Sequence, residues 1–231
     1  MIHKDFQCEF YFIRHGESTS NATPGFAAGV DFDSPLTSKG LEQARLLGRR
    51  LKAEEVRFDR VYSSSLTRAV QTTETMLRAM GEADRDFPKV DAIIEQQLPG
   101  WRGVPTSEAL TTEMVAYMRG KGGHFVPPQG ESYRNVQRRF AGWLEDEILY
   151  NEDLVSKEKS MTVAVVGHGA ATQCLLHYIM GFDESFIGKI RLDNTSVSRF
   201  RFDHEGWFSI CINDSWHIRT AGISRSSEIT P

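Results

Sequence analysis

The chain has 231 residues, 40% of them apolar and 25% charged, and a formal net charge of -4 from 27 basic and 31 acidic side chains. That length can bury one sizeable core, and the charge balance supplies no basic field of the kind a nucleic-acid partner needs. Three widely spaced cysteines, Cys8, Cys174 and Cys211, form neither a C-x-x-C pair nor a zinc-ligand spacing, which fits reduced thiols in a cytoplasmic protein. The N-terminus lacks an apolar signal region and no apolar run reaches the length of a membrane span, so a secreted or membrane protein is not expected.

In chain order, Phe10, Tyr11, Phe12 and Ile13 form a short aromatic and β-branched run that reads as a buried strand. It runs straight into Arg14, His15 and Gly16. A long loop rich in Gly, Ala and Pro follows, from Asn21 to Pro35. Leu41, Ala44, Leu47 and Leu51 then fall at helical spacing. "DRVYSSS" reads as a second strand, and Leu66 to Met80 as a helix stopped by Gly81. Between Phe87 and Gln129 the pattern is broken: "VDAII" as a strand, a turn-rich "PGWRGVP", a modest helix over "SEALTTEMVAYMRG" and a loop over "KGGHFVPPQG". We read residues 96–130 as a small cap inserted into one domain spanning 1–231. Val136, Phe140, Trp143, Leu144 and Ile148 make the face of a strong amphipathic helix, and "EDLVSKEKS" a charged surface connection. "MTVAVVGHG" is a further buried strand, "ATQCLLHYIMG" an apolar helix, and "NTSVSRFRF" and "WFSICIND" two strands joined by "DHEG". Residues 221–231 read as a frayed tail. Alternating strands and helices give an α/β fold with a largely parallel sheet and an antiparallel edge.

Three strand ends carry polar residues: Arg14 and His15 after the first, Arg68 shortly after "VYSSS", and His168 after "VAVVG". In a parallel sheet these ends share one edge, where open α/β sheets bind ligands. Each residue alone is an ordinary surface or turn residue. Two arginines and two histidines facing one crevice form an anion site, because a guanidinium fork matches phosphate oxygens.

These segments resemble the histidine phosphatase superfamily, which includes the cofactor-dependent phosphoglycerate mutases. The resemblance runs from about residue 8 to 217. It rests on "RHGESTSN", "DSPLTSKGLEQARLLGRRL", "VYSSSLTRAVQTTE", "IIEQQLPGWRG", "VVGHG" and "SICINDSWH", which occur in the family's order. The last of these carries His217. It implies a three-layer sandwich around a mostly parallel sheet, with His15 as nucleophile through a phosphohistidine. Arg14, Arg68 and His168 would hold the phosphoryl oxygens, Asn21 would add a neutral donor, and Gly169 would line the site. Glu95 would be the proton donor for the leaving alkoxide and later activate water. Glu17 is the competing acid, more suited to supporting an arginine. The arginines would supply the positive charge, with no metal or other cofactor. A neutral His15 with a protonated Glu95 implies a bell-shaped pH profile with its maximum on the acid side of neutral.

Against the family pattern, Leu98 and Pro99 replace a common aromatic and glycine, and Arg102 a common glutamate. Ala170 stands where the mutase branch shows asparagine, the cap is short, and a Gly-Ile-Pro run before the final strands is missing. The resemblance therefore favours a phosphatase for small phosphomonoesters. A mutase and a non-catalytic phosphate-binding or scaffold protein are the alternatives, the last disfavoured because all four central residues are present. Leu98, Trp101, Tyr117 and Phe125 suggest a partly apolar pocket, with Arg102, Arg119 and Lys121 as its few cations, and Tyr117 and Met118 equally suit the cap's own core. An open site also leaves room for a phosphoprotein.

Overall fold

A computed structural model describes residues 5–29, 31–157, 159–182 and 189–223. Six strands form one sheet in the order β3-β2-β4-β1-β5-β6. They are β1 (Gln7–Arg14), β2 (Arg60–Ser64), β3 (Lys89–Val90), β4 (Ser160–Gly167), β5 (Val197–Asp203) and β6 (Gly206–Asp214). β1, β2, β3 and β4 are parallel, and β5 runs antiparallel between β1 and β6. The antiparallel strand is thus one place in from the edge, and β6 again runs with β1.

The central strands are apolar on both faces because both are covered. On β1, Cys8, Phe10 and Phe12 pack into one core with Phe140, Leu144, Leu175 and Leu176. The intervening Tyr11 and Ile13 pack into the other, with Leu47, Leu51, Met76 and Leu77. The first group comes from α5 (Tyr133–Leu144) and α7 (Gly169–Met180), the second from α1 (Ser38–Ala53) and α2 (Thr67–Met80). This is the three-layer sandwich. Phe12 is 1% exposed, and trimming it to alanine should cost about 3–5 kcal/mol.

Several local readings are corrected. Leu41 lies on the outside of α1, 42% exposed. Gln43 takes its place inward because its Oε1 accepts the Glu17 N–H at 2.8 Å. "VDAII" yields only β3 and a 3-10 turn, Asp91–Ile93. The modest helix is two: α3 (Thr106–Ala109) and α4 (Thr112–Lys121), divided where Thr111 caps the second through Met114 N at 3.2 Å. The amphipathic helix ends in a π-turn, Glu145–Leu149, and the charged connection folds as α6 (Glu152–Lys157). A short α8 (Trp216–Thr220) follows β6. Most of the tail read at 221–231 lies outside the described residues. Among the described residues no helix is long and apolar enough to cross a membrane.

The segment between β3 and α5 has its own small core, Trp101, Ala109 and Phe125. The Gly-rich loop after β1 joins it: Ala27 N donates to Val104 O at 3.0 Å, Gly103 N to Gly29 O at 2.9 Å and Thr106 N to Gly25 O at 2.8 Å. Loop and cap together make one lid.

Candidate active site

Register brings the predicted residues together. Arg14 pairs with Gly167 across β1 and β4, and Ser63 pairs with Val166 across β2 and β4. The residues that follow, His15, His168 and Ser64, therefore emerge side by side, and the ladder continues one step further as His15 N donates to Gly167 O at 2.9 Å. The rings of His15 and His168 lie 5.1 Å apart between centroids.

His15 has a defined protonation pattern. Arg68 Nε–H can only donate, and it meets His15 Nε2 at 3.2 Å, so that nitrogen carries a lone pair. The proton sits on Nδ1, which donates to the carbonyl of Gly16 at 2.6 Å. Burial, and then the Arg68 and Arg14 guanidiniums, hold His15 well below the usual imidazole value. His168 is held low by burial first, then by Arg68, His15 and Arg14. Its Nε2 lies 2.7 Å from Ser64 Oγ, and its Nδ1 has no hydrogen-bond partner among the described residues.

Two guanidiniums converge beside these neutral rings, and both are buried. Arg14 Nη1 donates to Leu192 O at 2.6 Å and Arg68 Nη1 to Phe32 O at 2.6 Å. A backbone carbonyl anchors each fork, and Arg68 is thereby tied to the lid loop. Asp33 of the same loop caps α2, accepting from Thr67 N at 2.6 Å. A Cβ on Gly169 would meet Arg14 Nε at 3.4 Å, an ordinary contact, so Arg14 lies against the start of α7 without requiring a glycine there. Gly16 is needed for a different contact from the one its position suggests. A Cβ on it would collide with the backbone of Gly40 in α1, so the constraint is helix against loop and not loop against ligand.

Glu95 reaches the site as a hydrogen-bond acceptor. Its Oε1 accepts from Ala171 N at 2.9 Å and Gln96 N at 2.8 Å, and its Oε2 from Ala170 N at 3.1 Å. It closes the N-terminus of α7, where a negative charge is favoured. Its own carbonyl is held by Arg139 Nη2 at 3.1 Å, and that arginine also binds Glu131 at 2.8 Å. Among the described residues, the partners of the Glu17 carboxylate are a lysine and a threonine and not an arginine. Its carboxylate takes Lys39 Nζ at 2.6 Å and Thr37 Oγ1 at 3.0 Å at the start of α1. Asn21 Oδ1 accepts from Ser18 N at 3.2 Å and Asn194 Nδ2 at 3.3 Å, so Asn21 is oriented from behind the site. Trp101 and Phe125 stack on each other 5.8 Å apart inside the lid and so form its core and not a pocket wall. Met118 packs on that core, while Tyr117 caps Phe125 edge-on and stays 56% exposed. Arg102 sits over the Phe32 ring at 5.4 Å.

Sequence reading missed Ser64, Thr72, Asn194 and Thr195. Thr72 Oγ1 accepts the Gly16 N–H at 3.0 Å and donates to Arg68 O at 2.7 Å, joining the two central elements. Asn194, Thr195 and Ser196 were expected to open a strand, but together with Asp193 they form a buried polar turn against His15. Four successive polar residues ahead of an apolar strand were the available signal.

A neutral imidazole lone pair, two buried guanidiniums and a carboxylate at a helix N-terminus make a site for transferring or binding an anionic, phosphate-like group. The chain belongs to the histidine phosphatase superfamily, branch 1, whose family model matches residues 10–215. Among curated relatives it is 29% identical over 222 residues to a probable phosphoglycerate mutase GpmB of Photorhabdus laumondii, covering 93% of this chain and 92% of the relative. Among solved structures, a phosphoserine phosphatase from Entamoeba histolytica in complex with phosphoserine has a TM-score of 0.75 at 24% identity, covering 91% of this chain and 99% of that one. A phosphoglycerate mutase from Bacillus anthracis has a TM-score of 0.70 at 21% identity, covering 96% and 100%. The fold is thus phosphoglycerate mutase-like.

Proposed function

We propose that the protein hydrolyses small phosphomonoesters through a phosphohistidine on His15. The observation that carries this reading is the single tautomer of His15: Nε2 unprotonated beside Arg68 at 3.2 Å, with Nδ1–H tied to Gly16 O at 2.6 Å. In this reading Nε2 attacks phosphorus and the P–O bond to the leaving group breaks. Arg14 and Arg68 take the charge on the equatorial oxygens, which is where most of the catalysis of phosphoryl transfer lies. With the Ser64 hydroxyl donating to Nε2 of His168, the proton of that ring sits on Nδ1 and serves a third oxygen. Glu95 delivers the proton to the leaving oxygen, having left its amide contacts in the protonated form. Water activated by the same carboxylate then attacks the phosphohistidine, releasing phosphate and neutral His15. Gly169 and the oriented Asn21 complete the wall.

A mutase reading has one observation in its favour, the curated relatives called probable phosphoglycerate mutase. Ala170 at the α7 N-terminus and the short lid favour water as the acceptor. The test is p-nitrophenyl phosphate hydrolysis with chelator present, comparing native protein with His15→Ala. In parallel, 3-phosphoglycerate is followed by phosphorus NMR. Chelator-resistant activity lost in His15→Ala, with inorganic phosphate as product, is the expected result. Accumulation of 2-phosphoglycerate would establish the mutase instead, and activity surviving in His15→Ala would rule out both.

A further inference from the structure

Behind His15 lies a turn whose backbone is not what its residues prefer. Thr195 is buried, β-branched, and has φ of 55°. A β-branched residue in the left-handed region is an outlier, where glycine or asparagine is accommodated far more easily. Nearby Asn213 shows the easier solution, with φ of 59° at a residue type that tolerates it. Strain of this kind persists only where the surroundings impose it.

The surroundings here lead to His15. Its carbonyl accepts two hydrogen bonds, from Thr195 N at 3.2 Å and Asn194 Nδ2 at 3.1 Å. The adjoining Arg14 N donates to Ser196 O at 3.1 Å. The turn is itself tied at its far side, where Asp193 N donates to Asn213 Oδ1 at 2.6 Å and Ser215 Oγ donates to Asp193 Oδ2 at 2.8 Å. The side chain of Thr195 closes the arrangement. Its hydroxyl donates to Asn194 O at 2.7 Å, which uses its only proton. The contact with His217 Nε2 at 2.9 Å must then be an N–H donated by the imidazole into Thr195 Oγ1. His217 Nδ1 has no hydrogen-bond partner among the described residues, which agrees with the proton being on Nε2.

We propose that Thr195, latched by His217, is a positioning residue that sets the His15 peptide and through it the aim of His15 Nε2. The inference rests on the reading of His15 as nucleophile. The ring is tied to the next peptide through Gly16 O, so a rotation of the His15–Gly16 backbone swings Nε2 directly. Displacements of about 1 Å at a reacting atom can lower a rate about a hundredfold.

The test uses Thr195→Val, which keeps the β-branched shape and removes the hydroxyl, and His217→Ala. Each should lower kcat on p-nitrophenyl phosphate roughly ten- to a hundredfold with KM changed less than about twofold. The double variant should be no slower than the worse single one, because both remove one bond. Thr195→Ser and His217→Gln, which restore the acceptor and the donor, should stay near wild type. If Thr195→Val fails to fold, His217→Ala against His217→Gln makes the same comparison. Independently of activity, long-range proton–nitrogen NMR of His15 should show one tautomer in the wild type and a mixture in Thr195→Val and His217→Ala. A wild type that is inactive, or active without His15, overturns the nucleophile reading, and the NMR comparison still tests the latch. Unchanged kcat and an unchanged His15 tautomer in both variants would overturn the latch alone.

Discussion

At the sheet edge, His15, His168, Arg14 and Arg68 are buried, and each has named partners at fixed distances, several of them backbone carbonyls. The lid, by contrast, is held by backbone bonds between two loops and by a core of three buried residues. The edge is over-determined: Arg68 alone touches His15, the lid loop and, through its own carbonyl, Thr72. The lid has few such constraints and exposes Tyr117 and Val126 at 56% and 57%. A site that must stabilise a charge as it develops needs fixed dipoles. A surface that admits and releases a substrate is better drawn from weakly held segments.

The sharpest way to break this contrast is Arg68→Ala. It removes a guanidinium and the donor that fixes the His15 tautomer. Activity on p-nitrophenyl phosphate should fall by about a thousandfold, at the upper end for loss of one transition-state donor. Arg68→Lys should not rescue it, because a single ammonium cannot hold His15 Nε2 and Phe32 O together. A loss of tenfold or less would mean that the edge is not preorganised as argued. Glu95→Gln comes next. With an alkyl phosphomonoester the rate should drop about a hundredfold or more, and with an aryl ester, whose leaving group needs little protonation, far less. Equal slowing of the two would remove Glu95 as proton donor and leave it as the cap of α7.

Acid should act on the edge before the lid. His15, His168 and His217 are all held below 6.5, chiefly by burial. Below that pH the unfolded chain binds protons that the folded chain refuses, so stability falls as pH drops, and above it the three contribute no pH dependence. For His217, displaced from 6.5 to about 4, the loss accumulates between those values. It amounts to roughly 3 kcal/mol at full extent. The melting temperature should therefore decline steadily from pH 7 to pH 5, and less steeply in His217→Gln. The same direction for His15 means kcat/KM should not fall as pH is lowered through 6.5, provided the fold holds. An acid limb centred at 6.5 would contradict a buried, neutral His15.

The parts legible in the sequence are those where one residue type has one use. An apolar run ending in Arg-His-Gly, and a second ending in Gly-His-Gly, locate two strand ends, and parallel pairing does the rest. Less legible were residues with several uses. Glu17 and Glu95 are chemically alike, and only their neighbours separate them: Lys39 and Thr37 around the first, the α7 amides around the second. Trp101 and Phe125 read as pocket walls because an aromatic pair in a loop-rich segment does not reveal which side it faces. Thr195 was illegible for a further reason. Its left-handed φ runs against its own propensity, so only the tertiary bonds to His15 and His217 account for it.

The smallest expected effect lies in the lid, and it sharpens the contrast from the other side. Trp101 is 7% exposed and belongs to a core separate from the two that sandwich the sheet. Trp101→Ala should therefore loosen the lid without unfolding the domain. Limited proteolysis should show new cleavage between residues 96 and 130, while the melting temperature falls by only about 2–4 °C, the shift of a loss near 1 kcal/mol in a chain of this size. The small aryl ester reacts at the edge and needs little from the lid, so its kcat should stay within about twofold of wild type. A larger substrate that spans edge and lid should show KM raised several-fold, since what is lost is binding common to ground and transition state. Phe12→Ala in the main core should do the reverse, lowering the melting temperature by about 10 °C without new cleavage in the lid. If Trp101→Ala instead slowed the aryl ester as severely as Arg68→Ala, the Phe32 carbonyl would be carrying lid order into Arg68. The two regions would then be one cooperative unit.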